Sequence, residues 1–282
     1  MPATLDPPNR NPRPPRCPGG QDRSDDSVRV WSDADLTNPH AIADKASRVR
    51  QMFAAIAPSY DLNNRLHSLG RDQAWRRAAV KMADLGQDDR VLDVACGTGD
   101  LALAFAQAGT RQIIGVDFTF DMLLIARRKS DSACVGMAMA PYFGAGDALR
   151  LPLASQSVDV VSIAFGIRNV VNPNTALTEF ARVLRPGGRL IILEFRLPSN
   201  AILGRLYNFY FSHILPRTAS FIARDRTGAY HYLPKSVHTF LDQSTLLSMI
   251  RGAGFIDTVV HPLTLGVAAI YRGRRPTQST KT

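Results

Sequence analysis

Gly97, Thr98 and Gly99 separate a short apolar run, residues 91–95, from a helix-forming stretch, residues 101–106. Glycines carry no Cβ, so such a turn brings bare backbone close to a ligand. A second apolar run, 112–116, ends in Asp117, whose carboxylate can accept from both hydroxyls of a ribose. Gly97-x-Gly99-x-x-Ala102 with an acid about twenty residues on also fits a dinucleotide fingerprint. A glycine turn that holds no ligand at all is a third reading. Three further features bear on the choice. Asp93 places an acid inside the first run, and Gly146-Asp147-Ala148 follows a third candidate strand, where it can meet an adenine edge. Arg185-Pro186-Gly187-Gly188-Arg189 precedes another strand at 190–195.

A second group with chemical potential is Phe165-Gly166-Ile167-Arg168-Asn169, directly after an apolar run at 157–164. Two readings stand. Arg168 and Asn169 face a ligand, or Arg168 pairs with a carboxylate while Asn169 caps a turn. Tyr60 and Asp61 supply a phenol and a carboxylate near the same rim, although an isolated tyrosine is commonly a core residue with a satisfied hydroxyl.

The elements that must position these groups alternate. Strands are predicted at 90–95, 112–117, 142–146, 157–164 and 189–196, with helices at 99–108, 120–129 and 174–184. A helix over 246–253 and two strands, 255–261 and 265–271, close the pattern as an antiparallel hairpin. The fold class is therefore α/β: a mostly parallel seven-stranded sheet with an antiparallel last strand. Ligands of such sheets sit beyond the carboxyl ends of the strands, where the residues above lie. Helices at 46–57, with Val49, Met52, Phe53 and Ile56 on one stripe, and at 71–84 precede the first strand, so 45–88 reads as a helical cap. Residues 198–240 interrupt the alternation with Tyr207, Tyr210, Phe211, Tyr230 and Tyr232 among arginines. They read as an inserted lid over an aromatic or lipidic substrate, or as a packing subdomain with a basic rim. Residues 1–44, rich in Pro, Arg, Asp and Asn, read as disordered, and 273–282 as a polar tail.

The whole chain sets bounds. Its 282 residues suffice for a full α/β core. No apolar run approaches the ~20 residues of a membrane span, and the N-terminus shows no apolar core of a secretory signal. Cys17, Cys96 and Cys134 form no paired or metal-ligand spacing, so no metal is expected and a reducing cytoplasm is. Residues 1–44 hold five Arg against seven Asp, a balance of −2; with +10 for the whole chain, the rest carries +12. Such a surface suits an anionic bilayer face or nucleic acid, or is simply solvated.

Asp93, the Gly97–Gly99 turn, Gly146-Asp147-Ala148 and Pro186-Gly187-Gly188 together resemble the Rossmann-like class I methyltransferases that use S-adenosyl-L-methionine. Further marks narrow this: Met52-Phe53, Tyr60-Asp61, Ser68-x-Gly70, Trp75-Arg76, Phe165-Gly166-Ile167-Arg168-Asn169, Leu193-Glu194-Phe195 and Tyr230-x-Tyr232-Leu233. Over roughly 48–272 the chain resembles the quinone-ring C-methyltransferases of menaquinone and ubiquinone biosynthesis. Departures are Asn63, where the family usually has Met; Asp72, often His; Ala164, commonly Ser; and Leu241, commonly Pro. The resemblance implies methyl transfer to a ring carbon of a reduced, polyprenylated quinone, 2-demethylmenaquinol to menaquinol, with the ubiquinone precursor as the alternative. It implies Gly97, Thr98 and Gly99 at the methionine end, Asp117 on the ribose, Asp147 and Ala148 at the adenine, and Asp93 and Ala164 completing the cofactor set. Arg168, Asn169 and Tyr60 would meet the substrate ring, Arg168 stabilising a developing phenolate. The expected partners are the quinol and, peripherally, the inner face of the plasma membrane; no nucleic acid is expected, and a homodimer stays open.

Overall fold

Strand β1 (Arg90–Val94) lies beside β4 (Val158–Ala164), and these two mid-sheet strands create the crevice that holds the site. The structure, a computed structural model, describes residues 30–110, 112–135, 139–198 and 200–277. Within them β2 (Gln112–Asp117) and β3 (Tyr142–Ala145) extend the sheet on one side of β1. On the far side of β4 come β5 (Leu184–Phe195), β7 (Ala268–Arg274) and β6 (Ile256–Leu263), giving the order β3-β2-β1-β4-β5-β7-β6. β7 alone runs against the rest, inserted between β5 and β6. The chain order reverses between β1 and β4, which is where α/β sheets open a ligand crevice.

The central strands are apolar because helices cover both faces of the sheet there. Val91, Leu92 and Val94 in β1 and Val160, Val161 and Ile163 in β4 are all fully buried or nearly so. The covering helices are α3 (Arg71–Met82), α4 (Asp100–Gln107), α5 (Phe120–Ala133), α6 (Pro173–Val183) and α10 (Gln243–Gly252). α1 (Lys45–Ile56) and α2 (Tyr60–His67) sit over the crevice with the insert, formed by α7 (Ala201–Phe209), a π-helical turn at Tyr210–Ile214, α8 (Leu215–Ala223) and α9 (Ala229–His238).

Several expectations need correction. Residues 30–44 are ordered, not disordered. Trp31 is fully buried, stacks on Tyr232 with ring centroids 4.4 Å apart, and lies 3.2 Å from the sulfur of Met52. One large ring anchors this segment, so it shows no helical or strand periodicity. Residues 1–29 lie outside the described residues. The stretch after Pro58, to which the sequence assigned no element, forms the helix α2. β5 begins at Leu184, five residues before the expected start, because residues 185–188 bulge around Gly187 (φ +79°) while Leu184 already pairs with Val158. Gly273 and Arg274 belong to β7, not to a polar tail, of which 278–282 lie outside the described residues.

Candidate active site

Two cavities meet beyond the carboxyl ends of β1 and β4. A cleft of about 860 Å³, counting its open mouth, is lined by Gly97, Asp117, Asp147, Ala148, Ala164 and Asn169. A chamber of about 890 Å³ lies beneath the cap and insert. Phe53, Tyr60 and Phe165 line both. Neighbours in sequence are divided between them: Asn169 belongs to the cleft and Arg168 to the chamber.

The cleft is built on backbone geometry. Ala95 (φ +50°) and Phe165 (φ +56°) end β1 and β4 in the left-handed region, an uncommon state for residues with a Cβ. Gly97 (φ +55°) has nothing within 4 Å of where a Cβ would stand, so its backbone faces open space. Gly99 (φ +83°) plays another part, since a Cβ there would fall 2.9 Å from the Phe143 ring. It permits α4 to pack and is absent from the cleft wall. Asp117 accepts from the N–H groups of Gly97 (2.8 Å) and Thr119 (2.7 Å), which aim its carboxylate. Burial pushes this carboxyl up despite those bonds. Asp147, at the exposed rim, accepts from the Leu149 N–H at 2.9 Å.

A small third cavity joins Asp93, Gly97, Thr98, Tyr60 and Arg76. Asp93 is buried. Ser162 Oγ donates to Oδ1 at 2.8 Å, while Oδ2 has no partner among the described residues. Burial raises its pKa to about 7. The Thr98 hydroxyl donates to Asp61 at 2.6 Å, and Lys129 reaches Asp61 at 2.7 Å and also pairs with Asp100. Thr98 thereby ties the glycine turn to α2.

The chamber wall is a chain of rings. Trp75, Phe165, Phe195, Phe211 and Tyr207 follow one another at centroid distances of 6.0, 4.5, 6.1 and 4.9 Å. Arg168 enters this apolar wall as a buried ion pair. Its Nη1 donates to Glu194 Oε1 at 2.7 Å and to the Phe165 carbonyl at 2.6 Å, and Nε lies 3.4 Å from Ser236 Oγ. Nη2 makes no hydrogen bond among the described residues. Arg168 thus pairs with a carboxylate, as one of its two sequence readings had it, and it also lines the chamber. Asn169 Oδ1 accepts from the Tyr232 hydroxyl at 2.9 Å. Tyr60 stands at the junction, and burial raises its pKa, so the phenol stays protonated.

The site residues named from the sequence left out Lys45, and also Glu194 and Arg76, which entered only as marks of the resemblance. An acid in the apolar run 190–195 was a usable signal for Glu194, of the same kind as Asp93. Arg76 donates to Asp72 at 2.8 Å and lines both the chamber and the Asp93 cavity. Lys45, almost fully buried at the start of α1, carried no local signal.

Residues 41–275 match the model of the ubiE/COQ5 methyltransferase family. A demethylmenaquinone methyltransferase of Deinococcus radiodurans is 44% identical over 231 residues, covering 82% of this chain and 93% of that protein. One from Thermus thermophilus is 45% identical over 226 residues, covering 80% and 100%. The ubiquinone/menaquinone biosynthesis C-methyltransferase UbiE of Geobacter sulfurreducens is 41% identical, covering 84% and 91%. Among solved structures, a Thermotoga maritima S-adenosylmethionine-dependent methyltransferase superposes with TM-score 0.55 at 22% identity, covering 80% of this chain and 99% of that one. The [4+2]-cyclase SpnF gives 0.56 at 18%, covering 82% and 96%. These structures share the fold, and the cyclase among them means that the fold alone does not set the reaction. By the extent of the family match and the identity to its relatives, this chain belongs to the ubiE/COQ5 methyltransferase family.

Proposed function

We propose that this protein methylates a ring carbon of 2-demethylmenaquinol to give menaquinol, with S-adenosyl-L-methionine as donor. The observation that carries the reading is the shared wall: a cleft with a nucleoside's complement adjoins an aromatic chamber across Tyr60, Phe53 and Phe165. The residues present fit the donor. Gly97 leaves open space, Asp117 presents an aimed carboxylate to a diol, and Asp93 keeps a buried oxygen with no partner among the described residues. When bound, S-adenosylmethionine supplies a methyl group on a sulfonium. Names of the relatives support the acceptor.

The chain's own residues orient the ring and exclude water. The aromatic wall sandwiches a flat apolar substrate, and holding the acceptor carbon in line supplies much of the acceleration. Tyr60, kept protonated by burial, donates to a ring oxygen. Arg168 offers Nη2 to the negative charge that develops on that oxygen as its proton passes to a water molecule at the chamber's mouth. Glu194 fixes the guanidinium so that little reorganisation is needed.

The isoprenoid tail supports peripheral membrane attachment. Among the described residues no helix is long and apolar enough to cross a membrane. Leu62 and Leu66 are exposed on α2 and Leu69 just past its end, Ile202, Leu206 and Phe209 form an exposed stripe on α7, and Phe221 projects from α8. α2 packs on α8, and Tyr210 bonds His67 of α2, so these side chains border the chamber. Exposed Arg65, Arg205 and Arg217 lie among them and suit anionic headgroups.

The deciding experiment incubates the protein with S-adenosylmethionine and reduced demethylmenaquinone under anaerobic conditions. The expected product gains one CH₂ in mass, with the new methyl on carbon. Unchanged substrate, or a methyl on oxygen, would reject the reading.

A further inference from the structure

Tyr60, Asn64 and His67 follow one another along a single face of α2, and all three line the aromatic chamber. Tyr60 stands at the junction with the cleft. His67 lies about 10 Å further along the helix axis, at 1.5 Å rise per residue.

Two contacts assign the imidazole tautomer. Tyr210 Oη is 3.0 Å from His67 Nδ1 and 3.3 Å from the His67 main-chain carbonyl. A phenol has one proton to give. If it goes to the carbonyl, Oη is free to accept from an Nδ1–H, and both contacts are hydrogen bonds. If it goes to Nδ1, the carbonyl contact is empty. The arrangement that uses both contacts puts the proton on Nδ1 and the lone pair on Nε2. That Nε2 is buried and has no partner among the described residues. Burial lowers the pKa of the imidazole, which favours the neutral ring.

The chamber has a second orphan of this kind. Tyr207 Oη is buried with no partner among the described residues. Tyr207 stands one helical turn before Tyr210, and its ring stacks on Phe211. Burial raises its pKa, so it keeps its proton and can donate it. The aromatic chamber's wall thus holds, on His67 and Tyr207, an unpaired acceptor and an unpaired donor, each costly to leave unsatisfied.

We propose that His67 Nε2 and Tyr207 Oη form a subsite for one phenolic hydroxyl of a reduced, dihydroxylated ring. The hydroxyl donates to Nε2 and accepts from Tyr207. A ring carbonyl has no proton, so it engages Tyr207 alone and leaves Nε2 bare. The subsite therefore selects quinol over quinone. It takes the hydroxyl remote from the cofactor cleft, while Tyr60 and Arg168 serve the one beside the methyl-accepting carbon. This inference rests on the quinol reading above.

The test uses the full chain, S-adenosylmethionine and a quinol with a short isoprenoid tail, kept reduced. H67L is expected to raise KM for the quinol by about tenfold or more, with cofactor affinity held. H67Q, whose side-chain oxygen can accept, should recover most of that loss. Y207F, which deletes one oxygen atom and leaves the ring stack, should raise KM by roughly threefold or more. Wild-type protein should bind the corresponding quinone about tenfold more weakly than the quinol, and H67L should lose that preference. Unchanged KM in both H67L and Y207F, or H67Q as impaired as H67L, overturns the subsite. Wild-type protein that methylates no quinol removes the substrate reading and the subsite with it. A working wild type with an indifferent His67 removes the subsite alone.

Discussion

Lys45 donates from its ammonium group to the main-chain carbonyls of Arg168 and Val170, both at 2.9 Å, across more than 120 residues of chain. The first residue of α1 therefore holds the backbone of the turn that carries Arg168 and Asn169. His40 and Trp31 extend this hold, since His40 Nε2 lies 2.9 Å from the Ser236 carbonyl and Trp31 stacks on Tyr232. Residues 30–45 thus strap the insert to the turn that carries Arg168 and Asn169.

Burial, and then the charge of Arg168, lowers the pKa of Lys45 to about 8. The unfolded value is higher, about 10.4. Between the two, the unfolded chain holds a proton that the folded protein has released, so stability rises with pH there. Below about pH 8 both forms are protonated and the contribution is flat. Urea unfolding from pH 7.5 to 10 should show wild-type protein gaining on K45M by at most ~1.4 kcal/mol per pH unit. Parallel curves for the two proteins would mean that Lys45 does not titrate in this range.

Arg168 and Glu194 should separate stability from turnover. R168A leaves Glu194 buried without its partner, at a cost of about 3–5 kcal/mol, and lowers turnover by about 10²-fold or more while cofactor binding persists. The double variant R168M/E194M removes both charges and should recover most of the stability, because two apolar side chains replace a desolvated pair. Its turnover should stay low. Turnover in R168A equal to wild type would remove the guanidinium from the chemistry. Thermal unfolding and single-turnover methylation measure the two effects.

The two glycines of the turn should fail differently. G99A meets the Phe143 ring at 2.9 Å and a left-handed φ, so it should destabilise the fold by about 2 kcal/mol or more. G97A meets open space and should cost only about 1 kcal/mol of backbone strain, yet it weakens S-adenosylmethionine binding by intruding on the cleft. Calorimetric titration beside thermal unfolding distinguishes them. Equal loss of cofactor affinity and stability in both would contradict the division of roles.

Membrane attachment is checked by pelleting with vesicles. Wild-type protein should pellet with anionic vesicles and release as salt rises. The variant L69D/L206D/F221D should stay in the supernatant while methylating a short-tailed, soluble quinol as before. Binding by that variant equal to wild type would place the docking surface elsewhere.

Local pattern made much of this protein legible. Apolar runs bounded by glycine mark buried strands wherever helices cover both faces, so β1, β2 and β4 could be read directly. Asp117, Asp147, Arg168 and Asn169 were visible because each stands just past a strand end, the one place where an α/β sheet opens. The remaining decisions were made by side chains that meet only in the folded chain. Trp31 finds Tyr232 two hundred residues on, and Glu194 neutralises Arg168 from the next strand of the sheet. Whether Gly97 or Gly99 faces the ligand depends on where the Phe143 ring lies. His67 reads as an ordinary polar residue of α2 until Tyr210, from the insert, takes its Nδ1 and leaves Nε2 with no partner among the described residues. Periodicity reports which face of an element is buried, whereas hydrogen bonding and charge are satisfied by partners distant in the chain, and those partners exist only once the tertiary structure forms.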